Sequence, residues 1–193
     1  MAPNTDTREK ILDHAESLLQ EKGFNNFSYA DISGPLKIKN AAVHYYFPSK
    51  AILGFAVIER YRDRLKGYSE HLNSKHGDDV LQLLDGFIAI PKSFLSKTKL
   101  GCPLGMLEAD AGTLPDAMRE ATALLGKELW QWLTSILDRG KELGVFKYEG
   151  PARDKALLIT AALQGASLMA ATQSPKIFQI TVKQVKRDLG IAL

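Results

Sequence analysis

Apolar residues recur every three or four positions along most of the chain, and no segment alternates with the period of two that a half-buried strand requires. The pattern predicts an all-α protein. A first helix spans about Thr7 to Lys22, with Ile11, Ala15, Leu18 and Leu19 on one face, Asp6 or Thr7 as cap and Gly23 as its C-terminal stop. Ser28 caps a short second helix, and Asp31 three residues on makes a variant of the capping box. Pro35 limits that helix, because proline removes a backbone donor. The turn falls around Leu36–Ile38 and a third helix around Lys39 to Tyr46.

Pro48 and Ser49 open a long fourth helix to about Leu72, with Ile52, Leu53, Ala56, Val57, Tyr61 and Leu65 as its apolar stripe. The polar run Ser69 to Asp79 reads as a boundary. Further helices are predicted at about Asp78 to Lys97, containing Pro91, at Leu104 to Ala111, from Leu114-Pro115 to Leu143, from Gly150-Pro151 to Thr172, and from Ser174-Pro175 onward. Proline recurs at the openings because its fixed dihedral suits the first helical position.

The 193 residues are 45% hydrophobic and 24% charged, ordinary for a globular protein. A net charge of +3 and a pI near 8.9 are too mild to indicate a nucleic-acid partner by themselves. The local balance is more informative: no Asp or Glu occurs between Ile32 and Ile58, while Lys37, Lys39 and Lys50 do. Such a surface suits a phosphate backbone. The single Cys102 excludes an internal disulfide and a cysteine zinc site. The polar first residues carry no cleavage signal, and no apolar run approaches the roughly 18–20 residues of a membrane span, so the expected location is cytoplasmic.

The segment from Phe27 to Lys50 is read as a helix-turn-helix. In its third helix Ile38, Ala42 and Val43 can face the core, leaving Lys39, Asn40, Ala41, His44 and Tyr45 for base edges. Ser28, Tyr29, Lys37, Tyr46 and Lys50 complete the expected DNA-contacting set, through phosphate oxygens. Aromatic residues in HYYF could equally be core, and lysines are commonly just solvated; the joint spacing favours DNA.

TREKIL, Gly23-Phe24, FSYADI and IKNAAVHYYFPSK resemble the TetR family of transcriptional regulators, in motif detail over about Thr7 to Val57 and in general helical plan beyond. The resemblance implies a helix-turn-helix domain over residues 1–50 and a ligand-sensing and dimerisation domain over 51–193, connected by the helix at about 49–72, with about nine helices in all. The expected function is that of a homodimeric repressor of a near-palindromic operator, released by a small effector that is apolar or amphipathic because the candidate lining has few charges; no cofactor or metal is expected. Three departures stand out: Lys37 occupies a position usually held by glycine, which calls for a left-handed backbone, Lys39 stands where the family often has Ser or Thr, and Pro35 lies in a helix usually free of proline.

Phe87, Phe94, Leu104, Met106, Trp130, Leu133 and Met169, with Gln164 as a polar contact, are candidates for an effector cavity; the alternative is plain core. Cys102 adjoins it and, with Lys97 and Lys99 close in sequence, is a candidate sensor thiol. Small residues Ala161, Ala162, Gly165 and Ala166, with Ile177, Ile180, Thr181 and Gln184 on the last helix, form stripes suited to an isologous four-helix interface. No HExxH, P-loop, GxSxG or GxGxxG motif occurs, and His71 and His76 are five apart, not the three or four that align ligands on a helix, so no enzyme is expected. A helical adaptor without DNA binding is the alternative class.

Overall fold

The computed structural model describes residues 5–97 and 102–192, with side chains over 6–95 and 102–192. These residues form nine α-helices and one 3-10 turn, with no strand among them. The helices are α1 (Thr5–Lys22), α2 (Tyr29–Leu36), α3 (Asn40–Tyr46), α4 (Lys50–His76), α5 (Val80–Lys97), α6 (Pro103–Ala109), α7 (Asp116–Glu142), α8 (Ala152–Thr172) and α9 (Lys176–Asp188); the 3-10 turn is Phe24–Asn26.

Two compact units emerge: the chain up to Arg64 together with Pro103–Leu125, and Leu65–Cys102 together with Gly126–Leu193. This division differs from the expected boundary at residue 50, because the first unit is completed by segments remote in sequence. The Phe24 amide donates to Asp110 Oδ2 at 2.8 Å, and Asn25 donates to Thr113 Oγ1 at 2.6 Å. Gly23 has φ 76, and a Cβ there would lie 2.8 Å from Asp110 Oδ2; both backbone conformation and space require glycine. A Cβ at Gly54 would meet Met118 Cε at 2.5 Å and Phe24 Cε2 at 2.7 Å, so this glycine lets α4 approach α7 and the 3-10 turn closely.

Core formation in the first unit follows the α1 stripe: Ile11, Leu12, Ala15 and Leu19 are almost fully buried, as are Ile32, Val43 and Phe47. On α4 the buried face is Leu53, Val57, Ile58 and Tyr61. Ile52, expected in that stripe, is 49% exposed, because it lies about 100° around the helix from Leu53. Glu16 is buried and its carboxylate accepts from Arg60 Nη2 at 2.7 Å and from Arg64, tying α1 to α4.

α4 continues to His76, through most of the polar run expected to be a boundary; the break comes at Gly77, with φ 55. In the second unit, Leu84, Phe87, Leu133, Leu137, Leu163 and Phe178 belong to one core cluster built from α5, α7, α8 and α9. Tyr68 donates to the Gly86 carbonyl at 3.1 Å, and Arg139 reaches Asp78 at 2.9 Å, fastening the end of α4 and the following turn within that unit. α8 corrects another expectation: it is long and apolar enough, by length and composition, to cross a membrane, at a mean hydropathy of 1.2. Only 33% of that window is buried, so much of its apolar surface faces outward in a single chain.

Candidate nucleic-acid interface

The local signals in the sequence position the helix-turn-helix. Asp31 Oδ2 accepts from the Ser28 amide at 2.8 Å and from its hydroxyl at 2.7 Å, closing the start of α2. These bonds, with Lys22 3.3 Å away, hold the Asp31 carboxyl at about 2, below its ordinary value of 3.8. A group whose folded pKa is depressed stabilises the fold above its unfolded pKa, and that contribution is lost as pH falls through the folded value. An NMR titration of the Asp31 carboxyl should therefore place it near 2, with α2 loosening as the pH drops from about 4 toward 2; a midpoint near 4 would contradict the cap.

Pro35 lies inside α2, one residue before its end, and Lys37 then takes the left-handed conformation at φ 54, ψ 38. It is the only described non-glycine residue with positive φ. Its amide still bonds the Gly34 carbonyl at 3.0 Å, and the Ile38 amide bonds that of Ser33 at 3.1 Å. The turn is thus satisfied without the usual glycine.

α3 presents a divided surface. Val43 is fully buried and Ala42 half-buried, while Lys39, Asn40, Ala41, His44 and Tyr45 are exposed, Tyr45 at 67%. Lys37 and Ser28 are also exposed, and Tyr46 is half-buried with its ring 5.2 Å from that of Tyr45. Asn40 is not wholly free for a base: its Oδ1 accepts from the Ser33 hydroxyl. A bidentate pair with adenine would have to share that oxygen.

Two of the expected contacts already have partners within the chain. Tyr29 is buried; its hydroxyl donates to the Phe47 carbonyl at 2.6 Å and its ring packs on His44 at 4.6 Å. Burial pushes its pKa up. It joins the start of α2 to the end of α3 rather than facing a phosphate. Lys50 is half-buried, with Nζ 4.3 Å from the Phe27 ring centroid and 4.8 Å from that of Phe24. Desolvation lowers its pKa, against the pull of Asp31. It anchors the start of α4 through cation–π contacts.

These features place a seven-residue helix with an exposed, carboxylate-free face at the end of a capped helix and a tight turn. The sequence pattern described as "Bacterial regulatory proteins, tetR family" matches residues 11–57, which enclose it. Over 170 residues the chain is 27% identical to the HTH-type transcriptional repressor NemR of Escherichia coli K12, covering 86% of this chain and 84% of that one. A TetR-family regulator from Agrobacterium tumefaciens superposes with a TM-score of 0.88 at 29% identity, covering 94% of this chain and 97% of that structure. The chain belongs to the TetR family. The reduced form of E. coli NemR has a TM-score of 0.80 at 25% identity, covering 95% and 97% of the two chains. As a TetR-family member the protein is a DNA-binding transcriptional regulator and not an enzyme. Among the described residues no group of three or more His, Cys, Asp or Glu is placed to hold a metal.

The other candidate residues divide. Leu104 and Met106 belong to the first unit; Phe87, Phe94, Cys102, Trp130, Leu133, Gln164 and Met169 belong to the second. Phe87 and Leu133 are buried in the core cluster, Phe87 with its ring 5.6 Å from Trp132. Trp130 is half-buried, with the Arg153 guanidinium 5.6 Å over its ring. Met169 is 47% exposed, so it does not line the core; its helical position puts it beside Leu158, Ala162 and Gly165. Cys102 and Gln164 are half-buried; Lys99 and the Lys97 side chain lie outside the described residues.

Of the expected interface residues, Ala161, Ile180 and Gln184 are exposed and Ala162, Gly165, Ile177 and Thr181 half-buried. Ala166, at 4% exposure, packs into its own core, about 100° around α8 from Gly165. Sequence reading missed Leu158, 61% exposed, and Leu168, 40% exposed. Their spacing at 158, 162, 165 and 169, with 161 and 168 alongside, is the signal that finds them.

Proposed function

We propose that this TetR-family regulator is a homodimeric, ligand-responsive repressor that holds a near-palindromic operator and releases it when a small apolar or amphipathic molecule binds. The observation that carries the dimer is the outward apolar stripe of α8, continued by Ile180 on α9 at 65% exposure. A Cβ built on Gly165 meets nothing within 4 Å, so nothing in the protomer requires glycine there, whereas a closely approaching partner helix would. The name of the E. coli relative, a repressor, supports the direction of control. A regulator of this kind acts in the cytoplasm.

Two-fold symmetry requires half-sites about one helical turn or somewhat more apart. α4 is a single helix of 27 residues, about 40 Å long, whose first part belongs to the DNA-binding unit and whose remainder belongs to the second. It is the natural lever for changing the spacing of the recognition helices. The effector must bind the two states with different affinity.

Genomic selection with the purified protein tests the reading. It should enrich a two-fold symmetric site. Replacing Lys37 by Ala should then weaken binding to all sequences and lower the salt dependence by roughly one phosphate equivalent, while His44→Ala should change the preferred bases. Enrichment of no symmetric site, with or without cell extract, would sink it.

A second reading of the signal rests on Cys102, half-buried one residue before α6. The E. coli relative is described in a reduced form, so that protein has a redox state worth specifying. Peroxide treatment should lower operator affinity in the parent and leave Cys102→Ser unchanged; equal responses would remove the thiol from the mechanism.

A further inference from the structure

Between α5 and α9, within the second unit, lies an open cleft of about 500 Å³. That size is in the range of about 300–1,000 Å³ typical of small-ligand sites. Each wall is one helical stripe, spaced three and four residues apart, so the cleft runs along the helices for about two turns, roughly 10 Å. Its floor is apolar: Ile88 and Ala89 from α5, Phe178 and Val182 from α9. The expected effector residues are not among those lining it.

The charges around it are one-sided. Asp85 is the single carboxylate of the lining, and Lys186 neutralises it with an ion pair of 2.6 Å. Lys92 and Lys183 remain, one on each wall, both exposed and without an ion pair among the described residues. An apolar channel flanked by two unmatched ammonium groups is complementary to an amphiphile with one anionic head. A cationic head would face the lysines; an uncharged one would leave them unused. The α9 side of the cleft lies roughly opposite the Ile177, Thr181 and Gln184 flank of that helix, so the proposed dimer leaves it open.

We propose that this cleft binds an anionic amphiphile, a carboxylate bearing an unbranched aliphatic chain, with the chain along Ile88, Ala89, Phe178 and Val182 and the carboxylate held by Lys92 and Lys183. The site stands apart from the operator reading, and direct binding tests it without DNA. Decanoate titrated into the full-length protein by calorimetry, below its self-association, should saturate at one molecule per protomer. Decyltrimethylammonium, with the same tail and opposite charge, should not. The double variant Lys92→Glu/Lys183→Glu should bind decanoate at least about tenfold more weakly and gain affinity for the cation. Ala89→Trp, which fills the channel, should abolish decanoate binding. The reversed charges sit at exposed positions, so that variant keeps its fold and decides the matter even where Ala89→Trp is destabilised. Absence of saturable decanoate binding, equal binding of the cation by the parent protein, or unchanged decanoate affinity after charge reversal would overturn the site.

Discussion

Replacing Gly165 by Glu is expected to convert the proposed dimer to monomers and to weaken operator binding by roughly 10²–10⁴-fold, the gain that a second linked half-site supplies. The protomer has room for the change, since a Cβ at this position meets nothing within 4 Å. A loss therefore reports on the interface and not on the fold of one chain. In a helix-on-helix contact the new carboxylate would be buried without a partner and would also force the helices apart. Ala162→Glu, one turn earlier on the same side, should act alike. Ala166→Glu should differ: Ala166 is 4% exposed inside its own core, so this variant should lower the melting temperature rather than cleanly dissociate a folded dimer. Sedimentation equilibrium separates the cases. A Gly165→Glu protein that remains dimeric at low concentration would place the interface elsewhere.

What was legible in the sequence was what neighbouring residues decide among themselves. Ser28 and Asp31 make their cap across three residues, Gly23 ends α1 at φ 76, and Lys37 takes the left-handed turn because the chain must reverse between α2 and α3. What was not legible depends on partners far away in the chain. Nothing near Phe24 announces that Asp110 will accept its amide, so the DNA-binding unit extends beyond the motif that identifies it. Tyr29 and Lys50 are amphipathic side chains that can serve water or core, and only packing decides; both turned inward, to Phe47 and to the Phe24 and Phe27 rings. On α8 a one-residue step rotates a side chain by about 100°, which separates half-buried Gly165 and exposed Met169 from buried Ala166 although composition treats them alike. Phe87 and Met169 were grouped as cavity lining because both are large and apolar; one is core and the other is surface.

The largest single loss of stability is expected from Glu16→Ala. Glu16 is 8% exposed, and its carboxylate joins Arg60, whose side chain is only 17% exposed, to Arg64. Burial works against the charged Arg60 guanidinium, but hydrogen bonds and attraction from Glu16 and Asp13 outweigh it and raise its pKa. Removing Glu16 leaves that guanidinium buried, with its Nε already unpartnered, beside a second arginine of like charge. Breaking one side of such a pair costs about 3 kcal/mol or more. For a chain of this size about 3 kcal/mol corresponds to a fall of roughly 6–12 °C in Tm. Asp13→Ala should cost below about 1 kcal/mol, because its carboxylate is 70% exposed although it lies 2.7 Å from Arg60. Replacing Glu16, Arg60 and Arg64 together by methionine should recover most of the loss, since the desolvation of the charges disappears with them. The functional consequence follows from where the arginines sit. Arg60 and Arg64 close the part of α4 that belongs to the DNA-binding unit, so Glu16 makes α1 and that part of α4 one rigid piece. A lever that begins in a rigid piece transmits rotation; one that begins in a loose piece bends. Operator affinity in Glu16→Ala should therefore fall well below its melting point, while the triple methionine variant binds normally. Equal losses of stability in Glu16→Ala and Asp13→Ala would show that burial of the pair is not the cause.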